Sequence, residues 1–329
     1  MFFWFIRGVS ILLVISLILF IGYLHTGRPV NPFPEEGDYP YYASRSCKKC
    51  HEEIYKEWES SFHAQSWNDP LVQNLSNNFK NADCIPCHAP QPLLLTMSEG
   101  STPIPRKKMR KTGVNCLSCH RIKQGVASSS ILKAEPCRPF QDNRISDIKL
   151  CQSCHNLHGT VDVWKATPLY AEKRDCLSCH MPFVPKKGGS KRRSHKWPGG
   201  HDQNMISHAV KLNASVVSQK LIVDIHNTGA GHNIPTELRH RALILQVTIK
   251  SGWFVKETYE HVFRNPYKGE NKPNAQLKFN EKRTFTFPLP SGEGEAHIRL
   301  VYKLMPQGQG SAEKEIKKIT IGFKKRSNE

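Results

Sequence analysis

Five times between Cys47 and His180 the chain repeats Cys-x-x-Cys-His, and no other feature constrains its folding as strongly. The copies are Cys47-Lys-Lys-Cys50-His51, Cys84-Ile-Pro-Cys87-His88, Cys116-Leu-Ser-Cys119-His120, Cys151-Gln-Ser-Cys154-His155 and Cys176-Leu-Ser-Cys179-His180. Paired thiols followed at once by an imidazole fit covalent c-type haem attachment, in which both sulfurs bond the porphyrin edge and the imidazole binds the iron. A zinc half-site or a redox pair needs the cysteines alone. A His after every pair, in a chain with only 16 His, selects the haem reading. Five covalently bound c-type haems are expected, held by these ten cysteines and by His51, His88, His120, His155 and His180.

That leaves about 27 residues per haem across the motif region, too few for an ordinary side-chain core around each cofactor. The porphyrins themselves must form the core. A mainly α, loop-rich domain follows, with short helices carrying the motifs. The formal charge of +19 is offset in part by the haem propionates, to about +14 in the oxidised holoprotein. The surface stays basic, which suits acidic redox proteins or anionic lipid head groups. Nucleic acid is not an expected partner in the compartment where such haems are attached.

Gly8 to Leu24 carries no charge and is just long enough to cross a bilayer as a helix. Tyr23-Leu24-His25 is too bulky for a small-x-small cleavage site. Residues 1–25 therefore read as an uncleaved transmembrane signal anchor in the cytoplasmic (inner) membrane. The rest of the chain is expected on the periplasmic side, where c-type haems are attached. Residues 26–46, rich in proline, read as a spacer.

Ile54, Trp58 and Phe62 recur at helical spacing. A helix from His51 to His63 would separate the two by about 18 Å, so His63, if it is an iron ligand, must serve a haem other than that of His51. His155 and His158 would share one helix face and cannot flank a single iron. His195 and His201 surround a Gly-Gly turn and are further candidates for the second axial position. Met97, Met109, Met181 and Met205 compete for it, and a Met would raise the haem potential.

After about Ala209 the pattern alternates in Leu221/Val223/Ile225, Leu243/Leu245/Val247/Ile249, Phe285/Phe287/Leu289, Ile298/Leu300/Tyr302/Leu304 and Ile319/Ile321/Phe323. Period-two runs bounded by turn residues argue a small all-β, sandwich-like C-terminal domain. The expected organisation is thus anchor 1–25, linker 26–46, pentahaem domain 47–208 and β domain 209–329, the last a haem-free module able to dock a partner. His232, in a turn between its early strands, could project back to the haem domain. Cys137 belongs to no motif and reads as a buried free thiol.

The multihaem part resembles the cytochrome c-554 family, which is related to the haem domains of octahaem hydroxylamine oxidoreductase. The likeness rests on Cys47-x-x-Cys-His…Trp58-x-x-Ser61-x-His63-Ala, Cys84-x-x-Cys-His-Ala-Pro90, Gly113-Val-Asn-Cys116-x-x-Cys-His, Cys151-x-x-Cys-His…Trp164-x-x-Thr-Pro168…Cys176-x-x-Cys-His-Met-Pro182, His195-x-x-Pro-Gly-Gly-His201-Asp and Gly231-His-x-x-Pro-Thr236. It implies a compact haem chain with mostly bis-His irons, and supports His63, His195, His201 and His232 as distal ligands. The tetrahaem namesake has one motif fewer, and Thr167 and Glu237 stand where Ser and Gly are expected.

Two functions fit these residues. One is electron transfer between a membrane donor and an extracytoplasmic acceptor, both redox proteins. The other is a reductase or oxidase of small nitrogen or sulfur compounds at one open haem. Pentahaem nitrite reductases commonly replace the proximal His by Lys, and no Cys-x-x-Cys-Lys occurs. Electron transfer is the favoured reading.

Overall fold

The computed structural model describes residues 44–98, 101–129, 139–157, 159–186, 189–236, 238–252, 254–267, 269–304 and 313–324. The expected anchor, most of the linker, Cys137 and His158 lie outside them. No helix among the described residues is long and apolar enough to cross a membrane.

Each motif winds into a helical turn. The helices are Ile85–His88, Cys116–His120, Lys149–His155 and Cys176–His180, and in the first motif His51 N–H donates to Cys47 O at 2.9 Å. Residues i, i+3 and i+4 share a helix face, so this turn aims both thiols and the imidazole to one side. Polar side chains start the turns: Asn115 closes a capping box with Ser118, and Asp175 accepts from Ser178 N–H. The helix expected to run past Phe62 is instead two. Glu52–Glu59 ends at Ser60, and Ser61 caps a new turn, Phe62–Gln65. A Ser-Ser pair that can bond its own backbone breaks the apolar stripe there.

The described residues between 210 and 324 include two packed antiparallel sheets. We label their strands β1 (Val210–Val217), β2 (Lys220–Asn227), β3 (Ala242–Ser251), β4 (Phe254–Phe263), β5 (Lys282–Pro288), β6 (Glu293–Lys303) and β7 (Lys314–Lys324). The orders are β5-β2-β1 and β7-β6-β3-β4. Leu221, Val223 and Ile225 face Leu243, Leu245, Val247, Ile249, Ile298 and Leu300 in one continuous core. The alternation Val210/Leu212/Ala214/Val216 marks β1 as well, although the runs named above omit it; β4 alternates poorly, with Glu257 and His261 in the register of Tyr259 and Phe263, and both complete the sheets as edge strands.

The haem domain is built differently. Its buried apolar clusters are small, one around Leu93, Leu94, Ile122, Ala127 and Leu150, another around Phe79, Ile85 and Ala89. Large side chains there remain open, among them Leu157 at 72%, Phe183 at 60% and Phe140 at 48% exposed. Such a shell needs a cofactor to pack against.

Candidate haem-ligation site

Three motif imidazoles each face a second imidazole from elsewhere in the fold. Ring centres are 6.1 Å apart for His155 and His63, 6.2 Å for His120 and His195, and 6.4 Å for His180 and His232. A metal–nitrogen bond of about 2 Å on each face, with roughly another 1 Å from each nitrogen to its ring centre, places two rings about 6 Å apart. The spacing fits an iron between each pair. His51 and His88 face no second imidazole among the described residues, and His201 instead stacks on Phe62 at 3.3 Å.

The tautomers suit this role. Nδ1 of His88, His120 and His180 lies 2.7, 2.9 and 2.6 Å from the carbonyls of Ser66, Ala127 and Pro198. Distal His195 and His232 do the same with Arg193 O at 3.0 Å and Asn233 O at 2.9 Å. A carbonyl can only accept, so Nδ1 carries the proton and Nε2 keeps its lone pair for iron. Burial, reinforced by neighbouring His155, lowers the pKa of His63 to about 3. Burial, together with His120, lowers that of His195 to about 4. Both rings are neutral at ordinary pH, as a metal ligand must be.

Residues to which the sequence assigned no role hold His63 and His195 in place. Val114 N–H donates to His63 O at 2.9 Å, and Trp58 Nε1–H donates to Val114 O at 2.8 Å. Gly113 sits at φ +60°, where a Cβ would lie 2.5 Å from His63 O, so only glycine allows this approach. Trp197 packs edge-on against both His63 and His195, at 4.6 and 5.1 Å. Glu57 takes both ends of the Arg192 guanidinium at 2.8 and 3.1 Å and accepts His195 N–H at 2.8 Å. Burial raises the Glu57 carboxyl, but the bonds from Arg192 and His195 outweigh it and leave it below its usual range. Arg192 Nε–H is buried without a hydrogen-bond acceptor, the kind of donor a haem propionate would satisfy.

The β module contributes to this site, since His232 faces His180. Asn227, fully buried at the end of β2, donates through its amide to the carbonyls of His232 at 2.9 Å, Lys278 at 3.1 Å and Leu277 at 3.3 Å. It fixes the loop that presents His232 to His180, and Thr236 Oγ1 meets Thr160 Oγ1 at 2.7 Å beside it. Asn227→Ala strands those carbonyls and is expected to cost about 2 kcal/mol. It should also raise a high-spin signal from the haem of His180. A wholly low-spin spectrum would show that the loop holds its place without Asn227.

The cysteines also meet across motifs. Cys47 and Cys116, Cys87 and Cys154, and Cys151 and Cys176 are near enough for each thiol to shift the titration of its partner. Cys119 lies near enough to Cys151 and Cys154 to feel their charge. With haem attached at these sulfurs, each such approach would set two attachment edges side by side.

Residues 46–121, which span the first three motifs, match the family described as Cytochrome c554 and c-prime. The fold is similar to that of a penta-heme cytochrome c552 from Thermochromatium tepidum, with a TM-score of 0.64 over 85% of this chain and 98% of that one. The chain is a multihaem cytochrome c. At 18% identity the structural likeness speaks for the fold alone. Superoxide reductase from Nanoarchaeum equitans matches at 17% identity over 33% of this cytochrome and 92% of its own chain, but its TM-score of 0.19 carries no argument. No curated protein matches the sequence. As a cytochrome of this kind the chain binds c-type haem and serves electron transfer.

Proposed function

We propose that the protein is a membrane-anchored pentahaem cytochrome that carries electrons between a membrane donor and an extracytoplasmic acceptor. The observation that supports this most is the trio of imidazole pairs at 6.1 to 6.4 Å, because an iron held by both imidazoles of a pair would be closed to substrates and would act as a one-electron carrier. Haem iron supplies that one-electron couple when bound. The protein's part is to fix both imidazoles through carbonyls, Asn227 and Glu57, so that ligation changes little between oxidation states. The neighbouring cysteines support an arrangement in which the third attachment lies between the first and the fourth, with the second and fifth both beside the fourth.

A second reading is reduction or oxidation of a small nitrogen or sulfur compound at one haem. Nitric oxide binding to the reduced protein together with turnover of nitrite or hydroxylamine would favour it. Intact-mass measurement on protein from the membrane fraction tests the main proposal. The expected mass is the full chain from Met1 plus five haems retained after acid–organic extraction. Fewer than five haems would overturn the count, and a chain beginning near residue 25–30 would overturn the anchor.

A further inference from the structure

The segment Arg106-Lys-Lys-Met-Arg-Lys111 places five cations in six residues, and the fold holds it beside the second haem motif. Gln91 N–H donates to Ile104 O, and Arg106 N–H donates to Ala89 O, both at 2.8 Å. This ties the loop to the residues directly after His88. Arg106 is 4% exposed. It acts as an internal clamp, its guanidinium donating to Pro90 O at 3.2 Å, Met109 O at 3.1 Å and Gly113 O at 2.7 Å.

Arg110 lies over the Trp67 ring at 5.7 Å. Trp67 stacks on Phe79 at 3.8 Å, and Phe79 meets His88 edge-on at 5.7 Å. Asn68 holds Lys111 O at 2.7 Å. Lys107, Lys108 and Lys111 all point to solvent, and no carboxylate among the described residues pairs with Lys107 or Lys111. Ile104, 44% exposed, adds an apolar spot at the margin.

The loop is therefore a fixed array of charge, not a solvated tail. A buried guanidinium anchored on backbone carbonyls sets where the lysines stand. Holding like charges together opposes folding through mutual repulsion. That expense falls when something negative meets the array.

We propose that this face docks an acidic redox protein, which exchanges one electron with the cytochrome at the second motif. This rests on the electron-transfer reading above. Charge complementarity argues for the occupant: steering by a basic face raises the encounter rate of an acidic partner and sets its orientation. Position argues for protein over lipid, since the array borders a haem attachment and an electron must leave or arrive by a short path. The exchange balances as the loss of one electron by one protein and its gain by the other. No proton or leaving group is involved.

The test uses the full holoprotein and, as probe, a reduced acidic flavodoxin mixed in stopped flow at low and high salt. The variant Lys107→Gln/Lys108→Gln/Lys111→Gln is compared with Lys211→Gln/Lys220→Gln/Lys318→Gln, which removes the same charge from the exposed β-sandwich surface. At low salt the loop variant should react about tenfold more slowly, the control within about twofold of wild type, and the gap should close at high salt. Equal slowing in both variants would mean that net charge alone steers, and no slowing in either would mean that the loop is not used; each overturns the proposal. Vesicles of phosphatidylcholine with phosphatidylglycerol form a further arm. If the loop variant loses vesicle binding yet keeps its rate with flavodoxin, the array is a lipid contact and the proposal fails. Reduction by dithionite should give the same haem spectrum in all three proteins. If it does not reduce them, the electron-transfer reading itself is at fault, not the docking face.

Discussion

His63→Ala is expected to convert one low-spin iron of the oxidised protein to high spin and to let the reduced protein bind carbon monoxide or nitric oxide at that iron. The affected iron should be the one bound by His155, because the His63 ring stands 6.1 Å from the His155 ring and from no other motif imidazole. Attachment should survive, since Cys151, Cys154 and His155 are untouched. Local order should fall as well. His63 sits on a four-residue turn, and the carbonyl of the same residue receives Val114 N–H, so the lost metal bond would release a tie between the first helices and the fourth motif. Electronic and electron paramagnetic resonance spectra of the oxidised variant check the spin change. A spectrum that stays wholly low-spin, with no new ligand binding, would remove His63 from the coordination scheme.

The largest effect is expected from preventing haem attachment altogether, by producing the chain without covalent maturation. Residues 44–201 should then lose most amide protection, while β2, β3 and β6 keep theirs. The motif helices have four to seven residues, far below the length at which a helix holds itself in water. Their buried clusters are small and their large side chains open. The sandwich has its own core, with Leu221, Val223, Ile225, Val247, Ile249, Ile298 and Leu300 fully buried. Hydrogen exchange read by mass spectrometry distinguishes the two regions. Protection of 44–201 equal to that of the holoprotein would show that side chains alone sustain this shell, against the argument from composition.

Cofactor chemistry and attachment were legible in the sequence because they are local. Cys, Cys and His at i, i+3 and i+4 share one turn whatever surrounds them, and the alternating runs after residue 209 mark buried strand faces by the same short-range logic. The fold sets His63 opposite His155 and not opposite His51, although the single helix from which that separation was argued breaks at Ser60 and Ser61. Which imidazoles stand opposite one another was decided only by the tertiary structure. Each pair joins residues far apart in the chain, and nothing in the sequence near His195, His201 or His232 distinguishes a ring that meets a motif imidazole from one that stacks on Phe62. The supports were hidden for the same reason. Glu57 reads as one more charge on an exposed helix until the fold brings Arg192 and the backbone of His195 to it. Gly113 reads as a turn until His63 O is seen to lie where its side chain would be. Asn227 ends a strand, and only the docking of that strand's loop against the fifth motif makes its amide the brace for an imidazole. Bonds along a turn are written in spacing, whereas bonds across a fold depend on which surfaces the cofactors draw together.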